Sequence, residues 1–194
     1  MSFRLARVLT TIAVLLLGAG SALAANPATV TQRGAPVALY GPGVSLDTKA
    51  TDFTALDNGF RPVSIDSFLG HPVLISAVPS LDTKVCTLQT ERFNHALAEL
   101  TGDFTAITIS MDLPTAQAKF CGAHDTTKML VLSDSARREF GHGYGVLIPE
   151  KGLLARSVFV LDGKGILRYA QIVPELTEEP DYDAALAALK KLLG

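Results

Sequence analysis

From residue 29 onward, apolar and polar positions alternate in short strand-like runs broken by stretches with helical spacing. The most apolar run, Val73-Leu74-Ile75-Ser76-Ala77-Val78, has the length and branched residues of a strand buried on both faces. Beyond it, Cys86, Thr90, Phe93, Leu97 and Leu100 recur at steps of four and three, which predicts one face of a helix with Cys86 in its first turn. Upstream, residues 29–33 and 36–40 predict a hairpin around a glycine turn, followed by a strand over 52–57, a turn at Asn58-Gly59, and a short strand with a helical turn over 63–69. Downstream, the β-branched run at 104–110 predicts a strand, and Asp112-Leu113-Pro114 opens a short helix that runs to Cys121, with Gly122 as its stop. A strand at 129–132 and a helix starting over 135–140 follow, the latter ending in a loop at Gly141-His142-Gly143-Tyr144-Gly145. Residues 157–161 and 166–172 pair as a hairpin, and Asp181 caps a final amphipathic helix carrying Leu186, Leu189, Leu192 and Leu193. Strands alternating with helices, then a hairpin and a terminal helix, predict one α/β domain with a mixed sheet, and the order fits a thioredoxin-like core. On local patterns alone, other three-layer α/β folds remain open.

The first stretch is set aside from fold reasoning. Arg4 and Arg7 precede an apolar run, and Ala22-Leu23-Ala24 places small residues at the −3 and −1 positions, the pattern of a secretory signal peptide cleaved before Ala25. An uncleaved anchor is the alternative, but the run is short and the cleavage site well formed. The expected organisation is therefore a signal over 1–24 and one domain over 25–194, exported and in the periplasm of a Gram-negative source. No later segment is apolar enough to span a bilayer. The net charge is −2 with no Lys/Arg cluster, so nucleic acid is not an expected partner.

Two cysteines, Cys86 and Cys121, carry the candidate chemistry. Cys86 falls where a strand ends and a helix begins, the place at which open α/β sheets put their sites, and Thr83 projects on the same side. Unpaired N–H groups and the positive end of the helix favour a thiolate there. Cys121 falls in a last turn, where free carbonyls oppose one. The competing readings are a small buried hydrophobe at Cys86, or one structural Cys86–Cys121 disulfide in a non-enzymatic exported domain. A disulfide oxidoreductase is weakened by the lack of a Cys-x-x-Cys pair. The four histidines are scattered, and Cys121-x-x-His124 lacks the further ligands of a zinc site, so no metal or organic cofactor is expected. The acidic run over 175–183 reads as a solvated loop and helix cap.

Pro79, Thr83 and Cys86 form the pattern Pro-x-x-x-Thr-x-x-Cys, which resembles the active-site motif of the peroxiredoxins. With Ser80-Leu81-Asp82 inside it and Phe93-Asn94 after it, the chain is most similar to the thiol peroxidase subfamily, the atypical two-cysteine peroxiredoxins. Asp112-Leu113-Pro114, Phe120-Cys121-Gly122, Gly152-Leu153, Ala155-Arg156, Asp162 and Glu179-Pro180-Asp181-Tyr182 resemble that subfamily's segments in order, as does the N-terminal hairpin. The resemblance implies a thioredoxin-like fold and reduction of hydrogen peroxide or alkyl hydroperoxides. It implies Cys86 as the peroxidatic cysteine and Cys121 as the resolving one, joined as a redox disulfide. It implies Thr83 as the peroxide's hydrogen-bonding partner, Pro79 as a shield, and Arg156 as the thiolate's stabiliser, a role that spacing alone would not give a residue readable as a surface arginine. A thioredoxin or periplasmic thioredoxin-like reductant and a homodimer are implied as well. Two features depart from the family: the export signal, and Ala50-Thr51 where Ala-Pro is usual before Asp52-Phe53.

Overall fold

The computed structural model describes residues 29–194; the expected signal peptide lies outside the described residues. Its centre is a seven-stranded mixed sheet in the order β11-β10-β5-β6-β7-β3-β4. These are Thr54–Leu56 (β3), Pro62–Ser64 (β4), Val73–Ala77 (β5), Thr105–Ser110 (β6), Leu130–Ser133 (β7), Ser157–Leu161 (β10) and Leu167–Ile172 (β11). Strands β5, β6 and β7 run parallel, and the rest join antiparallel, which gives the expected mixed sheet. All of β5 is buried, Ser76 included, as its mostly apolar run leads one to expect.

Helices cover both faces. On one face, Leu74, Val158 and Val160 pack against Phe93 and Leu97 of α1 (Lys84–Ala98) and Ala185 and Leu189 of α4 (Tyr182–Leu193). The α4 cap is as read: Asp181 Oδ1 accepts from the Ala184 N–H at 2.9 Å. The helix α2 (Pro114–Ala123) completes that face, with Phe120 packed beside Val131, Val78, Leu81 and Cys86. On the other face, Ile75, Ile107, Ile109 and Phe159 belong to a larger core that includes Phe53, Phe140 and Tyr144. Phe140 lies in α3 (Glu139–Gly143). Its rings meet Phe53 edge-on at 5.1 Å, and Tyr144 meets Phe159 at 5.0 Å.

Three sequence expectations shift. The first hairpin, β1 (Thr29–Gln32) with β2 (Ala35–Ala38), turns at Arg33-Gly34, one residue earlier than read, both with positive φ (52° and 78°) as a two-residue hairpin requires. Gly122 does not stop α2, which continues to Ala123 and is followed by His124 in extended conformation. The segment 135–138 is a turn, and the helix is formed by the glycine-rich stretch read as a loop. Asp134 explains this: its carboxylate accepts the N–H groups of Phe140 and Gly141 at 3.1 and 2.8 Å and fixes the helix start from outside. A small hairpin, β8 (Leu147–Ile148) with β9 (Leu153–Leu154), was not foreseen.

Candidate active site

The candidate nucleophile is delivered by the step from β5 to α1. Thr83 is the N-cap of α1, and its carbonyl accepts the first helical bond, from the Thr87 N–H at 2.9 Å. Lys84, Val85 and Cys86 therefore contribute N–H groups that no helical carbonyl can reach. Cys86 faces inward and is fully buried. The Pro79-to-Asp82 connection before it is tied to the end of β6 by Asp112. Its Oδ1 accepts from Ser80 Oγ at 2.8 Å, and its Oδ2 accepts from the Leu81 N–H at 2.7 Å and from Ser110 Oγ at 2.8 Å. Asp112 thus does more than precede a helix: it fixes the loop that aims Cys86.

Arg156 arrives from the other side of the sheet's end, one residue before β10, and is 2 % exposed. A surface arginine it is not. Nη2 donates to Cys86 Sγ at 3.5 Å, Nη1 to Gln89 Oε1 at 2.6 Å, and Nε to the Leu176 carbonyl at 3.1 Å. Gln89 in turn donates from Nε2 to Ser76 Oγ at 2.8 Å, which locks its orientation. Among the described residues no carboxylate forms an ion pair with Arg156. A buried cation lacking an anion costs several kcal/mol, and of its three acceptors the Cys86 sulfur is the one that is an ionisable side chain. Sequence reading missed Gln89. The available signal was a polar residue three positions after Cys86, on the face that α1 buries.

Thr83 and Pro79 border the same place. With Val85, Leu176 and Arg156 they line a cleft of about 270 Å³, which meets Cys86 through Arg156 rather than through the sulfur's own surface. Thr83 is exposed there, and its hydroxyl donates to the Ser80 carbonyl at 3.1 Å, which leaves the oxygen's lone pairs available. The turn of the first hairpin closes one side, Gln32 and Arg33 also lining the cleft. Glu175 holds that turn by accepting the N–H groups of Arg33 and Gly34 at 2.9 and 3.0 Å. Hydrogen bonds from Thr177 and from these two amides hold its carboxyl far below the usual carboxylate range.

Cys121 sits apart from this cleft, half-buried in the last turn of α2 and packed against the small cluster that contains Cys86. Both cysteines are free thiols in this structure. The neighbour of Cys121 is Asn58 in the β3–β4 turn, whose Nδ2 donates to Cys121 Sγ at 3.5 Å. Among the described residues no three His, Cys, Asp or Glu side chains are grouped to hold a metal ion; His124 pairs with Glu91 at 2.8 Å and stacks on Phe120.

Comparisons with known proteins point to one family. Residues 46–186 match the Redoxin family. The thiol peroxidase of Bacillus subtilis is 46% identical over 166 residues, spanning 86% of this chain and 99% of that protein. The thiol peroxidase of Staphylococcus aureus is 43% identical over 163 residues, 84% of this chain and 98% of that one. Among solved structures, a peroxiredoxin-like protein from Aquifex aeolicus superposes with a TM-score of 0.80 at 37% identity, covering 86% of this chain and 98% of its own.

Proposed function

The chain belongs to the Redoxin family and, within it, to the thiol peroxidases, peroxiredoxin enzymes with a thioredoxin-like fold; from that premise we propose how its residues divide the work. Cys86 is the peroxidatic thiol. The observation that carries this role is the buried Arg156 guanidinium, which has Cys86 Sγ within 3.5 Å and no carboxylate partner among the described residues.

In the first half-reaction the Cys86 thiolate attacks one oxygen of the peroxide in line with the O–O bond. The S–O bond forms as the O–O bond breaks, sulfur is oxidised to a sulfenic acid, and the leaving oxygen takes a proton to become water or an alcohol. Donors fixed in advance lower the barrier as charge builds on that oxygen. Arg156, held on three acceptors, and the free N–H groups of the first turn of α1 are such donors. Thr83 orients the substrate by accepting a hydrogen bond from the peroxide O–H, and Pro79 keeps bulk water from the sulfur. In the second half-reaction Cys121 condenses with the sulfenic acid, giving a Cys86–Cys121 disulfide and water. Because Cys86 begins one helix and Cys121 ends another, this step needs a helix end to unwind. Turnover of peroxide by the reduced protein with a dithiol tests the assignment: it vanishes in Cys86→Ser, and a Cys86→Ser variant as active as the parent would remove Cys86 from the mechanism.

The basic and small-residue pattern of the first 24 residues supports export, with a mature start at Ala25 and a periplasmic site of action. Recovery of the periplasmic protein with Met1 or Ser2 intact counts against cleavage. Export removes the enzyme from the cytosolic reductant pool, so the disulfide is reopened by an exported thioredoxin-like dithiol. Undiminished peroxide clearance in cells lacking every such reductant would overturn this. The enzyme works as a homodimer, a reading that rests on family resemblance and is checked by its solution mass.

A further inference from the structure

We propose that Asn58 is a catalytic residue of the second half-reaction, its carboxamide stabilising negative charge on Cys121 as that sulfur attacks the Cys86 sulfenic acid. The inference rests on the resolving role given to Cys121 above. Three observations carry it. Asn58 Nδ2 is aimed at Cys121 Sγ at 3.5 Å, within reach of a hydrogen bond to sulfur. The other end of the amide, Oδ1, is buried and has no hydrogen-bond partner among the described residues, an arrangement that a protein ordinarily avoids and for which a chemical task is one explanation. The turn that presents Asn58 is rigid, because Asp57 accepts the N–H groups of Gly59 and Arg61 at 2.8 and 2.9 Å and pairs with Arg61 Nε at 2.7 Å.

The position of Cys121 makes such help useful. Cys121 lies in the last turn of α2, far from the free N–H groups that a helix start supplies to Cys86. A carboxamide is amphoteric: Nδ2 donates to a thiolate lone pair, and a half-turn of the amide lets Oδ1 accept from the thiol. Asn58 can therefore hold the sulfur on both sides of its deprotonation. In the step itself the Cys121 S–H bond and the Cys86 S–O bond break, the S–S bond forms, and the hydroxyl leaves as water with the thiol proton, so no further oxidant or reductant is needed.

The experiment is a single turnover of the full reduced protein with one equivalent of hydrogen peroxide, quenched at intervals and analysed by intact mass for sulfenic acid, disulfide and sulfinic acid. Loss of a hydrogen bond to a charged sulfur corresponds to about a tenfold slower disulfide formation in Asn58→Leu, a shape-matched change, with sulfenic acid accumulating. Asn58→Asp, which sets a carboxylate against the sulfur, should be slower still although it retains the polarity of the turn. That ordering separates charge stabilisation from loosened packing, which would spare the more polar variant. Both variants should show more sulfinic acid at Cys86 under excess peroxide. Sulfenic acid forming at Cys86 in each variant shows that it has folded. Disulfide formation at or above the parent rate in both variants overturns the role of Asn58. If the Cys86 sulfenic acid of Cys121→Ser is consumed as fast as that of the parent, the resolving role of Cys121 fails instead, whatever the Asn58 variants do.

Discussion

Replacing Arg156 with methionine removes the cation while keeping much of the buried stem, and the structure sets the size of the effect. Three acceptors lose a donor: Cys86 Sγ, Gln89 Oε1 and the Leu176 carbonyl. A hydrogen bond to a charged group contributes about 1.5–3 kcal/mol, and removing one preset donor from a developing oxyanion costs about 100-fold or more in rate. On the proposed mechanism, in which Arg156 serves both the thiolate and the leaving oxygen, Arg156→Met should slow the reaction of Cys86 with peroxide by about 100-fold. Stability should move less, because two opposed effects meet. Two buried acceptors are left unpaired at about 1–3 kcal/mol each, while the burial cost of an arginine lacking a carboxylate disappears. Arg156→Lys should recover only part of the rate, since one ammonium cannot reproduce the planar fork that spans sulfur, amide and carbonyl. The assay is rapid mixing of reduced protein with stoichiometric peroxide, trapping sulfenic acid at residue 86, with urea unfolding alongside. A folded Arg156→Met that reacts within a factor of about three of the parent would refute the argument that Arg156 is the counter-charge of the thiolate.

Asp112→Ala frees the Ser80–Leu81 loop from β6 and should slow the peroxide step by about tenfold, consistent with lost positioning of the nucleophile, while stability drops by about 1–3 kcal/mol; rapid mixing and urea titration read the two. Burial pushes Asp134 up to about 6, partly opposed by the Gly141 and Phe140 amides, so between about pH 4 and 6 the folded form holds a proton that the unfolded chain has released. Its contribution is therefore greatest below about pH 4 and falls, by up to about 3 kcal/mol, as pH rises through 6. Denaturant midpoints across that range should show this decline in the parent and lack this component in Asp134→Asn. Asp181→Ala removes the α4 cap and should cost about 1 kcal/mol without changing the peroxide rate.

Much of this was legible in the sequence because it depended on local rules. The buried run of β5, the i, i+3, i+4 face of α1, the Asp181 cap and the two larger hairpins each follow from patterns within a dozen residues. The identity of Cys86 as a first-turn cysteine is of the same kind. What escapes the sequence is fixed by side-chain contacts that periodicity does not encode, most of them distant in the chain. The helix α3 exists because Asp134 caps it from six and seven residues away and because its glycine at 141 lets it approach Leu154, whose Cδ2 would lie 2.7 Å from a Cβ there. Gln89 looked like one more polar residue until Arg156, 67 positions later, was seen to donate to it. Asn58 was read as a turn former, which it is, but its contact with Cys121 spans 63 positions and leaves no mark in either local pattern. The burial of Arg156 belongs to the same class: family resemblance pointed to its role, while spacing alone read it as a surface residue.

The most direct test of the account is to add one equivalent of hydrogen peroxide to the fully reduced protein and to each single cysteine variant, and map the oxidised residue. The parent should end with both thiols lost to one intramolecular Cys86–Cys121 disulfide, Cys121→Ser should stop at sulfenic acid on Cys86, and Cys86→Ser should leave Cys121 largely unoxidised. Oxidation of Cys121 in Cys86→Ser at the rate of the parent would contradict it.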